Sequence, residues 1–135
     1  MVKYWHKKLS NISPKAKIGQ GTVIHAGVHI HDDVMIGKKC QIEGLAFIPN
    51  GVTIQDQVFI GPGVIFTNDP FLNVERKEWA ATLTVVKMGA KIGAGAMIRA
   101  GITIGERSII GMGSVVLSDI PPDEVWAGNP ARKIR

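Results

Sequence analysis

Large apolar residues recur in this chain at every sixth position, a spacing that few folds can satisfy. From Ile12 the column runs Ile18, Ile24, Ile30, Ile36, Ile42, Ile48, Ile54, Ile60 and Phe66. It resumes at Val86 and continues through Ile92, Ile98, Ile104, Ile110 and Val116. Four residues after each of these, Phe66 apart, stands a small or β-branched residue, as at Ala16, Thr22, Val28, Cys40, Ala90 and Ser108. Most glycines fall one or three positions after the large residue, and only Gly44 and Gly128 do not.

A helix needs apolar spacing near 3.6, and an amphipathic strand needs spacing near 2. A period of six suits short strands joined by corners. Each strand turns its large residue inward, and each corner uses glycine or a small side chain to change direction. Three strands per turn make a prism. The expected fold is all-β, a parallel β-helix of about five coils and roughly 25 Å tall at the usual strand separation. Its hand does not follow from the period.

The period breaks between Phe66 and Val86, so a loop at 67–85 is expected to leave the prism. It mixes turn formers such as Asn68, Asp69 and Pro70 with Phe71, Leu72 and Trp79, which have no place on a lone prism and argue for docking. The chain reads as one domain, 1–135. Repeat coils occupy 12–66 and 86–121, and a short C-terminal tail occupies 122–135.

The net charge of +5 with 45% hydrophobic residues describes a globular chain. No apolar run reaches the roughly 18 to 20 residues of a membrane span. The opening Met-Val-Lys-Tyr-Trp-His-Lys-Lys lacks the apolar centre of a signal peptide. A cytoplasmic location without a membrane partner is expected. The basic residues are too dispersed for a nucleic-acid footprint, although anionic ligands suit them. The single cysteine, Cys40, falls in the small inward slot and reads as core filler.

The Ile-Gly-x-x-small-x repeat, the expelled loop and the ending Ala127-Gly128-Asn129-Pro130-Ala131-Arg132-Lys133 together resemble the hexapeptide-repeat acyltransferases of the left-handed parallel β-helix class. The stretch Val58-Phe59-Ile60-Gly61-Pro62-Gly63-Val64-Ile65-Phe66-Thr67-Asn68-Asp69 is more narrowly similar to acetyltransferases that modify the 3-amino group of UDP- or dTDP-linked sugars. Those relatives usually continue with Tyr-Pro-Arg, where this chain has Pro70-Phe71-Leu72-Asn73.

The resemblance implies a left-handed helix, acetyl-CoA as co-substrate, a nucleotide-sugar acceptor and a homotrimer with sites between subunits. Asn68 is the implied partner of the acceptor amine or sugar, or else a turn former. Asp69 is either a proton acceptor or a loop cap. His25, His31 and Phe66 are candidates for contact with the acceptor. The two histidines fall in the same slot of consecutive hexapeptides and are either exposed at corners or set in a cleft between subunits.

For acetyl-CoA the candidates are the small corner residues Gly93, Ala94, Ala100 and Gly111, with Lys87, Arg99, Arg132 and Lys133 for its phosphates. No metal is expected. A carbonic anhydrase of the same prism class would need histidines in later coils, and none follows His31. An O-acetyltransferase or other small-molecule acetyltransferase, and a non-catalytic β-helix scaffold, are the alternatives.

Overall fold

The computed structural model describes residues 1–75, 77 and 79–135. Arg76 and Glu78 of the expected loop lie outside the described residues. The strands form three parallel sheets that are the three faces of a prism. The first face stacks Lys3–Tyr4, Val23–Ile24, Gln41–Ile42, Phe59–Ile60, Lys91–Ile92, Ile109–Ile110 and Val125–Gly128. The second carries Asn11–Ile12, His29–Ile30, Phe47–Ile48, Ile65–Phe66, Met97–Ile98 and Val115–Val116. The third carries Lys17–Ile18, Met35–Ile36, Val52–Ile54, Thr84–Val86 and Thr103–Ile104, and Ile120 bridges to Ile104.

Successive residues of a strand point to opposite sides, so the second of each pair faces inward. On the first face Ile24, Ile42, Ile60, Ile92 and Ile110 lie in register, and all are buried. Phe66 belongs to the equivalent column of the second face and is fully buried. The slots four residues on, including Val28, Cys40, Ala46, Ala90 and Ala96, are closed to solvent and complete a thin, continuous core. Burying each isoleucine contributes roughly 1.5 to 3 kcal/mol relative to exposure.

Seven parallel rungs on the first face exceed the five coils expected from the period. The excess comes from both ends, where Tyr4 pairs with Ile24 and Trp126 with Ile110 in the inward register. Tyr4 stands eight residues before Ile12 and Trp126 ten after Val116, so the column of large residues does not extend to them. The arrangement is consistent with a left-handed β-helix of hexapeptide repeats.

The expected tail supplies a rung and then turns back. Ala131–Lys133 pairs antiparallel with Val125–Gly128 across a turn containing the cis Asn129–Pro130 bond. Ala131 is buried in that turn.

The corners connect the faces. We call the corner between first and second faces the first corner, that between second and third the second, and that returning to the first face the third. The loop leaves at the second corner. Ile54 pairs directly with Val86 across the insertion, so the coils stack through it without a gap. Bare glycines seat the returning chain. A Cβ at Gly51 would lie 2.9 Å from the Cβ of Ala81, and one at Gly101 would lie 3.1 Å from Thr82.

Candidate active site

At the second corner, side chains tie three consecutive coils to the loop. The Asn68 side-chain amide donates to the Asn50 carbonyl at 3.1 Å, and the Thr82 amide donates to the Asn68 carbonyl at 2.9 Å. These two bonds clasp the loop where it leaves and where it returns. They also leave Asn68 Oδ1 as the acceptor end of that side chain. The Asp69 carboxylate accepts from the Phe71 and Asn73 amides, one on each oxygen, both at 2.9 Å. These two bonds cap the start of the loop.

Below the loop, Thr67, Asp69, Leu72, Met97, Arg99 and Leu117 line a mainly apolar groove of about 240 Å³. Of the residues expected at the site, Asn68, Asp69, Arg99 and Ala100 are therefore brought to one corner. Ala100 is buried there and Arg99 is exposed. Phe71, Leu72 and Val74 are each more than four-fifths exposed on the loop. Apolar side chains so placed gain from a partner surface.

The first corner is built differently. His25 Nε2 lies 3.2 Å from Glu43 Oε2, and its ring stacks on Trp5 at 6.4 Å. Below that pair the corner is bare. Gly63, Gly95 and Gly113 occupy equivalent positions in three successive coils with φ between 68 and 70°, and a Cβ on any of them would meet nothing within 4 Å. Elsewhere the same kind of glycine is covered by a side chain, as Gly27 is by Leu45.

Gly93, Ala94 and Gly111 flank this stair of glycines. A Cβ at Gly93 would come within 2.6 Å of the Met112 nitrogen, so the coils there stack backbone on backbone. The Ala94 and Met112 amides make no hydrogen bond among the described residues. The stair runs down to the terminal hairpin, where the Gly128 amide donates to Ser114 Oγ at 3.3 Å. Arg132 and Lys133 are exposed on that hairpin, with Lys133 Nζ 3.1 Å from Glu124.

An extended, amide-rich ligand with a phosphorylated end fits this strip. No Cβ obstructs the backbone along it and two cations close it. Acetyl-CoA has that form, so the residues of the first corner fit the co-substrate that the resemblance implies. Gly93, Ala94, Gly111, Arg132 and Lys133 are the ones that would hold it.

Two expectations are corrected by position. Phe66 has no exposed surface and packs in the core, because its place in the inward column outweighs its nearness to Asn68. Lys87 sits on the third corner, apart from the other candidates, since it directly follows the third-face strand Thr84–Val86. His25 and His31 occupy different corners, one on each side of the second face.

His31 Nδ1 lies 3.2 Å from Asn50 Oδ1, with its ring edge-on to Phe47 at 5.4 Å. The sequence reading missed Asn50. Only its position one coil above Asn68 marks it, and that relation appears once the coils are stacked. Among the described residues no three His, Cys, Asp or Glu side chains are grouped to hold a metal ion, and no helix is long and apolar enough to cross a membrane.

The chain is thus a parallel β-helix of hexapeptide repeats with an expelled loop at one corner and an open glycine stair at another. The bacterial transferase hexapeptide (six repeats) model matches residues 15–50 and 84–118, and the chain belongs to that family. Galactoside O-acetyltransferase from Escherichia coli (strain K12) is 42% identical over 88 residues, covering 62% of this chain and 43% of that enzyme.

Among solved structures, a variant of perosamine N-acetyltransferase from Caulobacter crescentus, in complex with CoA and GDP-perosamine, superposes with a TM-score of 0.83 at 27% identity. It covers 99% of this chain and 57% of that one. The acetyltransferase domain of PglB from Neisseria gonorrhoeae, in complex with acetyl coenzyme A, gives 0.84 at 26%, covering 98% and 57%. The chain thus spans about half the length of these relatives.

Proposed function

We propose that the chain is an acetyl-CoA-dependent N-acetyltransferase that acts on the amino group of a nucleotide-linked amino sugar, with UDP- and dTDP-3-amino sugars as the first acceptors to test. The observation that carries this reading is the pairing of an unobstructed glycine stair, ending at two cations, with a loop whose Asn68 keeps an acceptor oxygen available. The two neighbours crystallised with CoA or acetyl coenzyme A support it, one of them also holding a nucleotide amino sugar.

Bound acetyl-CoA supplies an acetyl thioester, and its transfer to a neutral amine yields an amide and a free thiol. The chain's own work is placement. Asn68 Oδ1 accepts a hydrogen from the acceptor amine and so aims the nitrogen lone pair away from the loop. The unobstructed backbone of the stair holds the thioester arm in line. His25 is paired with Glu43 and stacked on Trp5, which ties it to the amino-terminal strand.

In one chain the stair and the loop lie on different corners, and a site containing both needs a second copy. The second face lies between these corners and exposes Ile65, Met97 and Leu117 beside half-buried Phe47 and Val115. Three copies with this face toward a threefold axis bring the first corner of each to the second corner of the next. Phe71, Leu72 and Val74 of the loop then meet the neighbour. A homotrimer with three sites is the assembly that this reading predicts.

Thiol release from acetyl-CoA should be measured against UDP- and dTDP-linked 3-amino and 4-amino sugars, with hydroxyl sugars as controls. Turnover confined to amino sugars is expected. Turnover on the hydroxyl sugars alone would replace this reading with O-acetylation, the activity of the galactoside enzyme. Light scattering at micromolar concentration should give a trimer, and a monomer would remove the shared-site arrangement.

A further inference from the structure

Above the loop, the second corner carries a second concavity that the proposed transfer does not use. It has a volume of about 350 Å³, and Asn11, Ser13, His31, Asp32 and Asn50 supply its polar lining. The lining is already organised. Ser13 Oγ donates to Asp32 Oδ1 at 2.6 Å, and the Lys15 amide donates to Ser13 Oγ at 3.1 Å. Asn50 Oδ1 lies 3.2 Å from His31 Nδ1, an arrangement that suits the tautomer with its proton on Nδ1 and Nε2 as an acceptor.

We propose that this groove is the subsite that reads the hydroxyl groups of the acceptor, with Asn50 as the residue that positions His31. The inference rests on the reading of the chain as a sugar N-acetyltransferase and adds the place where the sugar ring is recognised. Three features select hydroxyls over other groups. Amide donors on Asn11 and Asn50 alternate with acceptors on His31 and Asp32, matching a hydroxyl, which both donates and accepts. The Asp32 carboxylate disfavours a phosphate at this position. An apolar ligand would find polar side chains, Asn11, His31, Asp32 and Asn50, along this lining.

The spacing agrees. The strands that precede these corners pair in register, His29 with Phe47 and Phe47 with Ile65. Asn50 therefore lies one coil above Asn68 and His31 two coils above it, at about 5 and 10 Å. A six-membered ring whose amine rests on Asn68 reaches Asn50 with its nearer hydroxyls and His31 with its farther substituents. Asn50 joins both ends, since its carbonyl holds the Asn68 side chain.

The test is calorimetric titration of the full chain with UDP-3-amino-3-deoxyglucose and with its 4-deoxy counterpart, alongside acetyl-CoA. Wild type should bind the hydroxylated sugar about tenfold more tightly, the equivalent of one good hydrogen bond. Both Asn50→Ala and His31→Phe should bind the two sugars equally, with acetyl-CoA affinity unchanged. His31→Phe retains an aromatic edge for Phe47 and covers the case in which Asn50→Ala loosens the loop.

Nitrogen-15 spectra of the histidine side chains should show a protonated Nδ1 at His31 in wild type and a mixture of tautomers in Asn50→Ala. The subsite is overturned if wild type binds the two sugars equally or not at all, or if both variants retain the discrimination. An unchanged tautomer in Asn50→Ala overturns the positioning role. Discriminating binding without acetyl transfer would count against the catalytic reading and leave the subsite standing.

Discussion

The first and second corners are made from the same hexapeptide, yet they solve opposite problems. At the first, side chains are removed until only backbone remains, and three glycines in successive coils leave an unobstructed strip. At the second, side chains are added until they bond from coil to coil, and a loop is inserted among them. The inward columns are alike on all faces because they fill one core. The corners project outward and are free to differ. A repeat of this kind separates stability from chemistry, with the inside governed by the period and the outside varied position by position.

The contrast can be broken most severely at Gly93. Its absent Cβ would meet the Met112 nitrogen at 2.6 Å and the Gly111 carbonyl carbon at 3.0 Å, and backbone there cannot yield. Gly93→Ala is expected to lower unfolding free energy by about 3 kcal/mol in urea titrations. A loss below 1 kcal/mol would mean that the coils are less tightly stacked than described. Next in size is Asn68→Ala at the other corner. Turnover should fall by about 10²-fold through misplacement of the amine. Stability should fall by only about 1 kcal/mol, for one hydrogen bond. Unchanged kinetics would take Asn68 out of the mechanism.

Gly95→Ala sharpens the comparison because it sits next to Gly93 yet faces open space. Its φ of 70° makes an alanine cost about 1 to 2 kcal/mol. Acetyl-CoA affinity should fall by more than Asn68→Ala changes it, and equal affinities would move the co-substrate off the stair.

The smallest effect lies at the hairpin. Hydrogen bonding to Arg107 lowers the carboxyl of Asp123, and the Trp126 indole, followed by Lys133, lowers that of Glu124. Both carboxyls titrate below their ordinary values of 3.8 and 4.5 when folded. Their contribution is present above those values and disappears as pH falls through the lower folded ones. Asp123→Asn with Glu124→Gln should flatten the acid side of a stability–pH curve and change little at pH 7. A curve of unchanged slope below pH 4 would show that the pairs contribute nothing measurable.

Much of this architecture was legible before any coordinates. The column from Ile12 to Val116 marked every inward position between the ends, and the twenty residues from Phe66 to Val86 marked the loop. The outer rungs were not legible, because Tyr4 and Trp126 continue the column as aromatics at irregular spacing, where only stacking on Ile24 and Ile110 identifies them. Site residues were less legible than the fold. Asn68 and Asp69 follow one another in sequence, but Asn50 and His31 join them only when eighteen residues become one turn of the prism. Phe66 misled because it ends the strand Ile65–Phe66 as its inward residue, whereas Asn68 lies past the strand on the corner.

The antiparallel return of Ala131–Lys133 beside Val125–Gly128 covers the last rung of the longest face. A stack of parallel strands ends in a row of unpaired amides and carbonyls that another copy could extend. On the first face that row is occupied by a strand running in the opposite direction and carrying Arg132 and Lys133. The residues that cover this edge are thus the same ones that close the proposed coenzyme strip.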